Sequence, residues 1–309
     1  MPSREQGRLN RIYANSHLKA PYHNWPLAKR LLMYQNERVP VLALFTMGLI
    51  LYAAISHISQ PSPNWSLVLL ATLLSTLYFI QVRLADEPKD YEHDTRHHTT
   101  RPIQRGLVTL TELRSTKRIV IGLFLLLACL SGSVTIVLLA ALQQVCAFIT
   151  HREFFVRTWL RQHFFAYQFS HYAQLLLLGW LTTTTLGIND SDTHLLYYGY
   201  VLAMSIPIEL SRTIGGTDDK KANDRYSHKL GVKIAIIWFL VSIAIVATYT
   251  IMLAQPDPIT ALLPLAFGLL AVGYASFHYI LKPISKNANT LGLSSILFYF
   301  ASSGTLLMI

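Results

Sequence analysis

Three aspartates at four-residue spacing have the pattern in this chain that most readily supports chemistry. Asp86, Asp90 and Asp94 lie in the stretch RLADEPKDYEHDTRHHTTRPIQRG, between two long apolar segments. Residues four positions apart share one face of a helix, where like charges repel one another. Oxygen ligands suit a hard divalent ion such as Mg²⁺, which completes its shell with water and phosphate oxygens. The pattern therefore predicts a Mg²⁺ site, with a solvated charged turn as the alternative.

Arginines close to these aspartates add a second part of the same predicted chemistry. Arg83 precedes the first aspartate, and Arg101 and Arg105 follow the last one in the segment RPIQRG. A guanidinium group presents a fork of N–H donors that matches phosphate oxygens. Carboxylates, a metal ion and arginines together indicate a diphosphate site at a membrane surface.

Local signals predict the helix boundaries around this site. Pro88 lacks an N–H and fits the first turn of a helix. We therefore expect the apolar helix to break near Leu84–Glu87 and a new helix to begin there. The residues from Thr109 to Glu112, TLTE, have the pattern of a capping box and predict the start of the next helix. Gly106 is expected to end the helical piece before it.

A second polar group follows the sixth apolar segment. Its acidic residues are Asp218, Asp219 and Asp224. By itself this group is typical of a solvated loop, but as a partner to the first group it would hold a second metal ion or orient Lys221. Glu209 and Arg212 end the sixth segment and are candidate substrate-binding residues, although residues three apart on a helix could simply pair. Gly215–Gly216 would allow a sharp turn.

The end of the fourth apolar segment also carries charge, in the stretch HREFFVRTWLRQHFF. Arg152 and Glu153 lie there and are candidates for binding the substrate, with Arg152 reaching the diphosphate. The alternative is an aromatic belt whose arginines extend to the headgroups.

Composition places these groups in an all-α membrane protein. Hydrophobic residues make up 52% of the 309 residues and charged residues 14%, which is typical of chains with several transmembrane helices. We expect nine transmembrane helices. The nine apolar segments are Val39–Ser56, Leu67–Leu84, Ile119–Leu130, Val134–Thr150, Tyr172–Gly187, Leu195–Ile208, Val232–Leu253, Ala261–Leu281 and Leu291–Ile309.

The net charge of +10 has a topological origin and does not indicate nucleic-acid binding. All 26 lysines and arginines lie in the N-terminal tail or in alternate connections, and the other connections have none. This bias predicts a cytoplasmic N-terminus, an outside C-terminus and both acidic groups on the cytoplasmic side. Residues 1–38 read as a basic interfacial tail without the apolar core of a cleavable signal peptide. Residues 39–309 read as a single transmembrane domain.

These features resemble the UbiA superfamily of intramembrane prenyltransferases, in a divergent bacterial branch. The resemblance spans nearly the whole chain and rests on two aspartate-rich loops after the second and sixth segments, with RPIQRG after the first. It implies nine helices around a central cavity in the bacterial plasma membrane, in which Mg²⁺ bridges both acidic loops to an isoprenyl diphosphate. The residues that match its metal-binding regions are Asp86, Asp90, Asp94, Asp218, Asp219 and Asp224. Arg152 matches a basic residue for the diphosphate.

Three alternatives to simple prenyl transfer remain open. The acceptor is expected to be a hydrophobic or aromatic molecule, but the same ionisation without an acceptor would make a terpene cyclase. A transporter or lipid-binding protein would carry its functional polar residues near the middle of the membrane, whereas here the ionisable residues crowd one face. A zinc site from His93, His97 and His98 lacks a thiol or a clear fourth ligand.

Overall fold

The structure is a computed structural model that describes residues 4–60, 62–188, 191–218, 225–254 and 259–309. Within these ranges the chain is helical and contains no strand. Its helices are α1 (Arg4–Asn15), α2 (Leu27–Arg38), α3 (Val41–Ser59), α4 (Trp65–His97), α5 (Leu110–Leu130), α6 (Val134–His151), α7 (Arg157–Gln162), α8 (Phe164–Thr185), α9 (Ser191–Thr213), α10 (Tyr226–Lys229), α11 (Val232–Ala254), α12 (Leu263–Leu281) and α13 (Ser285–Leu307). Short 3₁₀ turns cover Tyr22–Asn24, Glu153–Phe155 and Ile259–Leu262.

The long helices fall on the predicted apolar segments. In the described ranges, six helical stretches are long and apolar enough to cross a membrane, and they contain α3, α4, α6, α11, α12 and α13. Helices α5, α8 and α9 also overlap predicted segments. The all-helical membrane fold is therefore confirmed, while nine crossings and the orientation of the termini stay predictions.

The expected helix break before Pro88 is wrong. Helix α4 runs without interruption for 33 residues from Trp65 to His97, with Pro88 inside it. An internal proline removes one backbone hydrogen bond and costs about 3 kcal/mol. Contacts on both sides offset this cost, since Leu84 is buried in a hydrophobic cluster and Asp94 lies in a network of ion pairs. At 1.5 Å per residue the helix is about 50 Å long, so its charged end extends beyond the roughly 30 Å of hydrocarbon.

The chain divides into two compact units. Unit 1 comprises residues 1–48 and 70–182, and unit 2 comprises residues 49–69 and 183–309. Three of the long helices, α3, α4 and α8, contribute residues to both units.

The N-terminal tail packs into unit 1. Ile12 and Tyr34 are buried in one hydrophobic cluster with Leu107 and Leu110. Buried Arg30 donates two hydrogen bonds to Glu112, at 2.8 and 2.6 Å. Glu112 also completes the capping box predicted at the start of α5, and this prediction is confirmed. Helices α1 and α2 are thereby fixed against the beginning of α5.

Unit 2 is built around α9, α11, α12 and α13. Hydroxyl groups join α9, α11 and α13: Ser302 bonds with Tyr200 at 2.8 Å and with Thr250 at 2.6 Å, and Ser211 bonds with Ser295 at 2.8 Å. Small hydroxyl residues allow close helix approach and supply interhelical hydrogen bonds in an apolar surrounding. These contacts are accordingly structural.

Candidate functional site: an acidic helix face beside a polar cavity

The charged end of α4 carries the three predicted aspartates on one face. Asp86 and Asp90 are half-buried and Asp94 is buried. Asp90 lies more than a turn beyond the apolar part of the helix, which ends at Leu84. Burial and the neighbouring carboxylates of Asp86 and Asp94 raise the pKa of Asp90 to about 6. The face thus holds negative charge that a nearby cation would stabilise.

Asp94 is compensated by arginines from two other segments. Arg101 forms a close ion pair with its Oδ1, and Arg38 Nη2 lies 3.8 Å from Oδ2. His93 Nδ1 lies 3.6 Å from the same carboxylate. Of the described residues, His93, Asp94 and His98 bring ligand atoms within 4.8 Å of one another. Histidine and carboxylate can therefore meet here, but Arg101 already contacts the carboxylate.

Buried Glu87 fixes the helix turn between Asp86 and Asp90. Its Oε1 accepts hydrogen bonds from Tyr34 at 3.0 Å, from Arg38 at 2.9 Å and from Arg83 at 3.2 Å. The predicted substrate-binding Arg83 is thus engaged with a carboxylate one helical turn away. Glu87 anchors the tail to the candidate site.

The segment RPIQRG forms a packed turn and does not end a helix, because α4 already ends at His97. Gly106 has φ +78°, and a Cβ there would lie 2.6 to 2.8 Å from atoms of Lys19. The Lys19 N–H donates to the Gly106 carbonyl at 3.1 Å. Arg105 donates to both carboxylate oxygens of Glu37, at 2.8 and 2.5 Å. These bonds lower the pKa of Glu37.

A cavity of about 120 Å³ lies beside Asp86 in unit 1. The polar residues that line it are Gln81, Asp86, Lys89, Lys117, Gln144, Thr150, His151 and Gln174. Gln81 Nε2 donates to Gln144 Oε1 at 2.8 Å, whereas the buried atoms Gln81 Oε1 and Gln144 Nε2 have no hydrogen-bond partner among the described residues. An acceptor and a donor are thus available to a polar ligand in this cavity.

Arg152 lines an adjoining basic cleft of about 240 Å³. Its guanidinium carbon lies 5.5 Å from the centre of the Phe148 ring. The neighbouring Glu153 is buried and pairs with Lys89 at 3.4 Å and with Arg157 at 3.2 Å. Glu153, Phe154 and Phe155 all have positive φ, between 50° and 60°, a conformation that costs side-chain-bearing residues energy and concentrates at functional sites.

The second predicted group of charged residues lies in unit 2. Glu209 and Arg212 form an ion pair at 2.8 Å, which is the alternative that their spacing offered. Exposed Asp218 accepts hydrogen bonds from the Ser285 backbone at 2.7 Å and hydroxyl at 2.8 Å, which lower its pKa. Gly216 permits this approach, since a Cβ there would lie 1.9 Å from Ser285 N. Three predicted residues, Asp219, Lys221 and Asp224, lie outside the described residues.

Sequence reasoning missed several residues of this region. Lys89, Arg114 and Lys117 line the cavity, the cleft or both. A signal for two of them was available, because Arg114 and Lys117 are three residues apart and share a helix face directly after the capping box. Glu87 gave no comparable signal, since its partners Tyr34 and Arg38 come from the distant tail.

Comparison with known proteins supports the fold. No family model matches the sequence, and no curated protein matches it. The structure is similar to a solved structure of a digeranylgeranylglyceryl phosphate synthase, with a TM-score of 0.55 and 13% sequence identity. The match covers 90% of this chain and 98% of that chain. At 13% identity this similarity shows the fold alone, and in the fold it agrees with the resemblance noted from the sequence.

Proposed function

We propose that this chain is a Mg²⁺-dependent intramembrane prenyltransferase, which ionises an isoprenyl diphosphate and transfers the prenyl group to an acceptor. One observation carries the proposal: Asp86 and Asp90 share a helix face that borders a cavity lined by amide and lysine side chains. The fold shared with a membrane prenyltransferase supports the same reaction class.

The donor set on α4 fits a hard divalent cation. Asp86 and Asp90 offer only oxygen, the ligand type that Mg²⁺ prefers. Burial and the carboxylates of Asp86 and Asp94 raise the pKa of Asp90 although Lys89 lowers it, so a bound cation would stabilise the charged form of Asp90 further. Asp94 would join as a ligand by exchanging its ion pair with Arg101. When bound, Mg²⁺ would stabilise the negative charge of the departing diphosphate.

Residues of the chain itself would bind and orient the two substrates. Lys89 lines the cavity with Asp86, and its ammonium group is positioned by Tyr167 at 2.8 Å and by Glu153 at 3.4 Å. From there it would donate hydrogen bonds to diphosphate oxygens. Gln81 and Gln144 would bind a polar group of the acceptor through their unpaired amide atoms. Apolar residues that also line the cavity, such as Val82, Ile121 and Phe148, would exclude water from the allylic cation.

The membrane topology is part of the proposal. We infer nine crossings with a cytoplasmic N-terminus, an outside C-terminus and a site on the cytoplasmic side of a bacterial plasma membrane. The alternation of all 26 basic residues between connections supports this orientation. Asp218, Asp219 and Asp224 stay candidate ligands of a second metal.

The test measures diphosphate release and metal binding in the same purified samples. Protein in detergent micelles is incubated with Mg²⁺ and farnesyl or geranylgeranyl diphosphate, with and without membrane-lipid extract as a source of acceptor. Thermal unfolding is followed with Mg²⁺ or EDTA. We expect Asp86→Asn and Asp90→Asn to lower turnover by at least about 100-fold, since they remove ligands of the metal ion that would stabilise the leaving group.

A matched control comes from the same helix. Glu92 is exposed and lies two positions after Asp90, on a different face, so Glu92→Gln should keep turnover. Mg²⁺ should raise the unfolding midpoint of the wild type and of Glu92→Gln, but not of the double variant Asp86→Asn/Asp90→Asn. Normal turnover in that double variant would refute the metal assignment. A cyclic hydrocarbon formed without acceptor would identify a terpene cyclase instead.

A further inference from the structure

Three histidines at the end of α4 have no role in the proposed reaction. His93 and His97 lie in the last turns of the helix, and His98 follows directly after it. None of them lines the cavity beside Asp86 or the basic cleft. His93 and His97 are exposed, and His98 is half-buried. A solute can therefore reach these side chains without entering the cavity or the cleft.

The three imidazole rings lie close to one another. The ring centres of His93 and His97 are 4.7 Å apart, and those of His93 and His98 are 5.8 Å apart. Two imidazoles that bind one ion at about 2.0–2.1 Å have ring centres roughly 4.5–6 Å apart. His93 can therefore share an ion with either neighbour without movement of the backbone.

The backbone positions these rings in two ways. His93 and His97 are four residues apart on α4, so they lie on the same helix face. The His98 N–H donates to the Asp94 carbonyl at 2.8 Å, and the His98 carbonyl accepts from the Arg101 N–H at 3.0 Å. Hydrogen bonds on both sides of His98 thus hold the turn after α4 and keep His98 beside His93.

Nitrogen atoms of these rings are available to a ligand. In the described part of the chain, the side chains of His97 and His98 form no hydrogen bond and no ion pair. His93 Nδ1 lies 3.6 Å from Asp94 Oδ1, which leaves Nε2 of His93 for an ion. A histidine that binds a metal ion usually has a carboxylate or carbonyl at its other ring nitrogen, and this partner orients the ring.

Asp94 also makes the surroundings more favourable for a cation. Its carboxylate forms a close ion pair with Arg101, and it therefore compensates a guanidinium charge that would otherwise repel a bound cation. Among the described residues, ligand atoms of His93, Asp94 and His98 lie within 4.8 Å of one another. The histidines thus lie next to a buried negative charge.

We propose that His93, His97 and His98 bind a divalent transition-metal ion such as Zn²⁺ or Ni²⁺. Imidazole nitrogens suit these ions, whereas Mg²⁺ prefers oxygen, so the site differs in kind from the Mg²⁺ site proposed on the acidic face of α4. His97 is exposed and reaches the shared ion by a change of rotamer. Water takes the fourth position, since three protein ligands and a water are typical of open zinc sites. The ion would fasten the last turn of α4 to the turn that carries Arg101.

The test measures metal binding without substrate, so its outcome does not depend on the proposed function. The full chain, without a histidine tag, is purified in non-ionic detergent. Isothermal titration calorimetry is done with zinc chloride and nickel chloride, each with Mg²⁺ in excess to fill any oxygen site. Thermal unfolding is followed with and without Zn²⁺. The variants are His93→Gln/His97→Gln, His98→Gln, Asp86→Asn/Asp90→Asn and, as a matched control that removes two exposed histidines from the tail, His17→Gln/His23→Gln.

We expect the wild type to bind one Zn²⁺ or Ni²⁺ ion. His93→Gln/His97→Gln should bind at least about 100-fold more weakly because it loses two ligands, and His98→Gln about tenfold more weakly. The tail control and Asp86→Asn/Asp90→Asn should bind like the wild type. Zn²⁺ should raise the unfolding midpoint of the wild type and of the tail control, but not that of His93→Gln/His97→Gln.

Four results would overturn the proposal. The first is wild-type affinity for Zn²⁺ in His93→Gln/His97→Gln. The second is no binding of Zn²⁺ or Ni²⁺ to the wild type. The third is an equal loss of affinity in the tail control. The fourth is loss of Zn²⁺ binding in Asp86→Asn/Asp90→Asn, which would assign the ion to the acidic face. The substituted histidines are exposed or half-buried, so the unfolding midpoints without metal should stay close to that of the wild type.

Discussion

The two units of this protein bury different kinds of polar side chain. In the described part of unit 2, the buried polar side chains apart from tyrosines are all serine or threonine. Unit 1 buries charged and amide side chains in addition: Arg30, Glu87, Asp94, Glu153, Gln81, Gln143 and Gln174. A hydroxyl group can return its hydrogen bond to its own helix, as Thr250 does with the Val246 carbonyl. Charges and amides need partners from other elements.

This difference teaches where chemistry is to be expected within each unit. Burying a hydroxyl group costs little free energy, and such groups join helices. Burying an ionisable group in a membrane protein costs much more free energy, and such a group is by default a candidate functional residue. In unit 1, buried Gln81 and Gln174 line the cavity and buried Glu153 lines the cleft. Replacing single residues in each unit can break or sharpen the comparison.

The largest effect is expected at the centre of the ionic network in unit 1. Glu87→Gln leaves Arg38 and Arg83 without their carboxylate, and breaking a buried ion pair costs about 3–5 kcal/mol. Denaturant-induced unfolding in micelles measures the loss. Glu92→Gln on the exposed side of α4 should change stability by less than about 0.5 kcal/mol. Equal losses of stability in the two variants would show that the burial of Glu87 does not make its ion pairs more stabilising.

The next effect concerns the amide pair in the cavity. Gln81→Leu removes hydrogen-bonding atoms that face the proposed acceptor, so kcat/KM for the acceptor should fall about tenfold, equivalent to 1.4 kcal/mol. Turnover assays at varied acceptor concentration measure this change. The unit 2 variant Ser302→Ala should leave kcat/KM unchanged, and a similar loss there would erase the distinction between the units.

A smaller effect is expected for the hydroxyl network of unit 2. Ser302→Ala removes the hydrogen bonds to Tyr200 and Thr250. Interhelical hydrogen bonds in membranes contribute about 0.6 kcal/mol on average, so the free energy of unfolding should fall by about 1 kcal/mol. A loss as large as that of Glu87→Gln would contradict the structural role assigned to the hydroxyl groups.

The smallest effect is a pH dependence at the exposed pair of Glu37 and Arg105. The hydrogen bond from Arg105 lowers the pKa of Glu37 below 4.5. Its contribution to stability is therefore present above that value and is lost as the pH falls through the lowered pKa. Unfolding midpoints of the wild type should decline slightly more on acidification than those of Glu37→Gln. Identical pH profiles would show that solvent screens the pair completely.

The sequence predicted local features better than distant partnerships. The capping box of Thr109 and Glu112 follows from two residues three positions apart, and it is present. The predicted helix break before Pro88 was wrong, because packing on both sides of Pro88 outweighs the one backbone hydrogen bond that the proline removes.

Electrostatic partners were beyond prediction for a physical reason. Arg105 was expected to bind phosphate, but it contacts Glu37, which lies 68 residues earlier. Arg101, expected in the same role, pairs with Asp94. Residue type shows that a guanidinium group seeks an anion, but the choice of anion depends on tertiary structure. The three aspartates on α4 were placed on one face correctly because helix periodicity alone determines that arrangement.

The attachment of α2 to α4 and α5 has a practical consequence for protein engineering. Deleting the first 38 residues would remove Arg30 and Tyr34, and with them bonds that compensate Glu112 and Glu87. The shortened protein would then keep the buried carboxylate of Glu87 and the half-buried carboxylate of Glu112 with fewer partners, and the loss is costly above all for Glu87. An affinity tag at this end is therefore best added ahead of α1, with every residue of the tail retained.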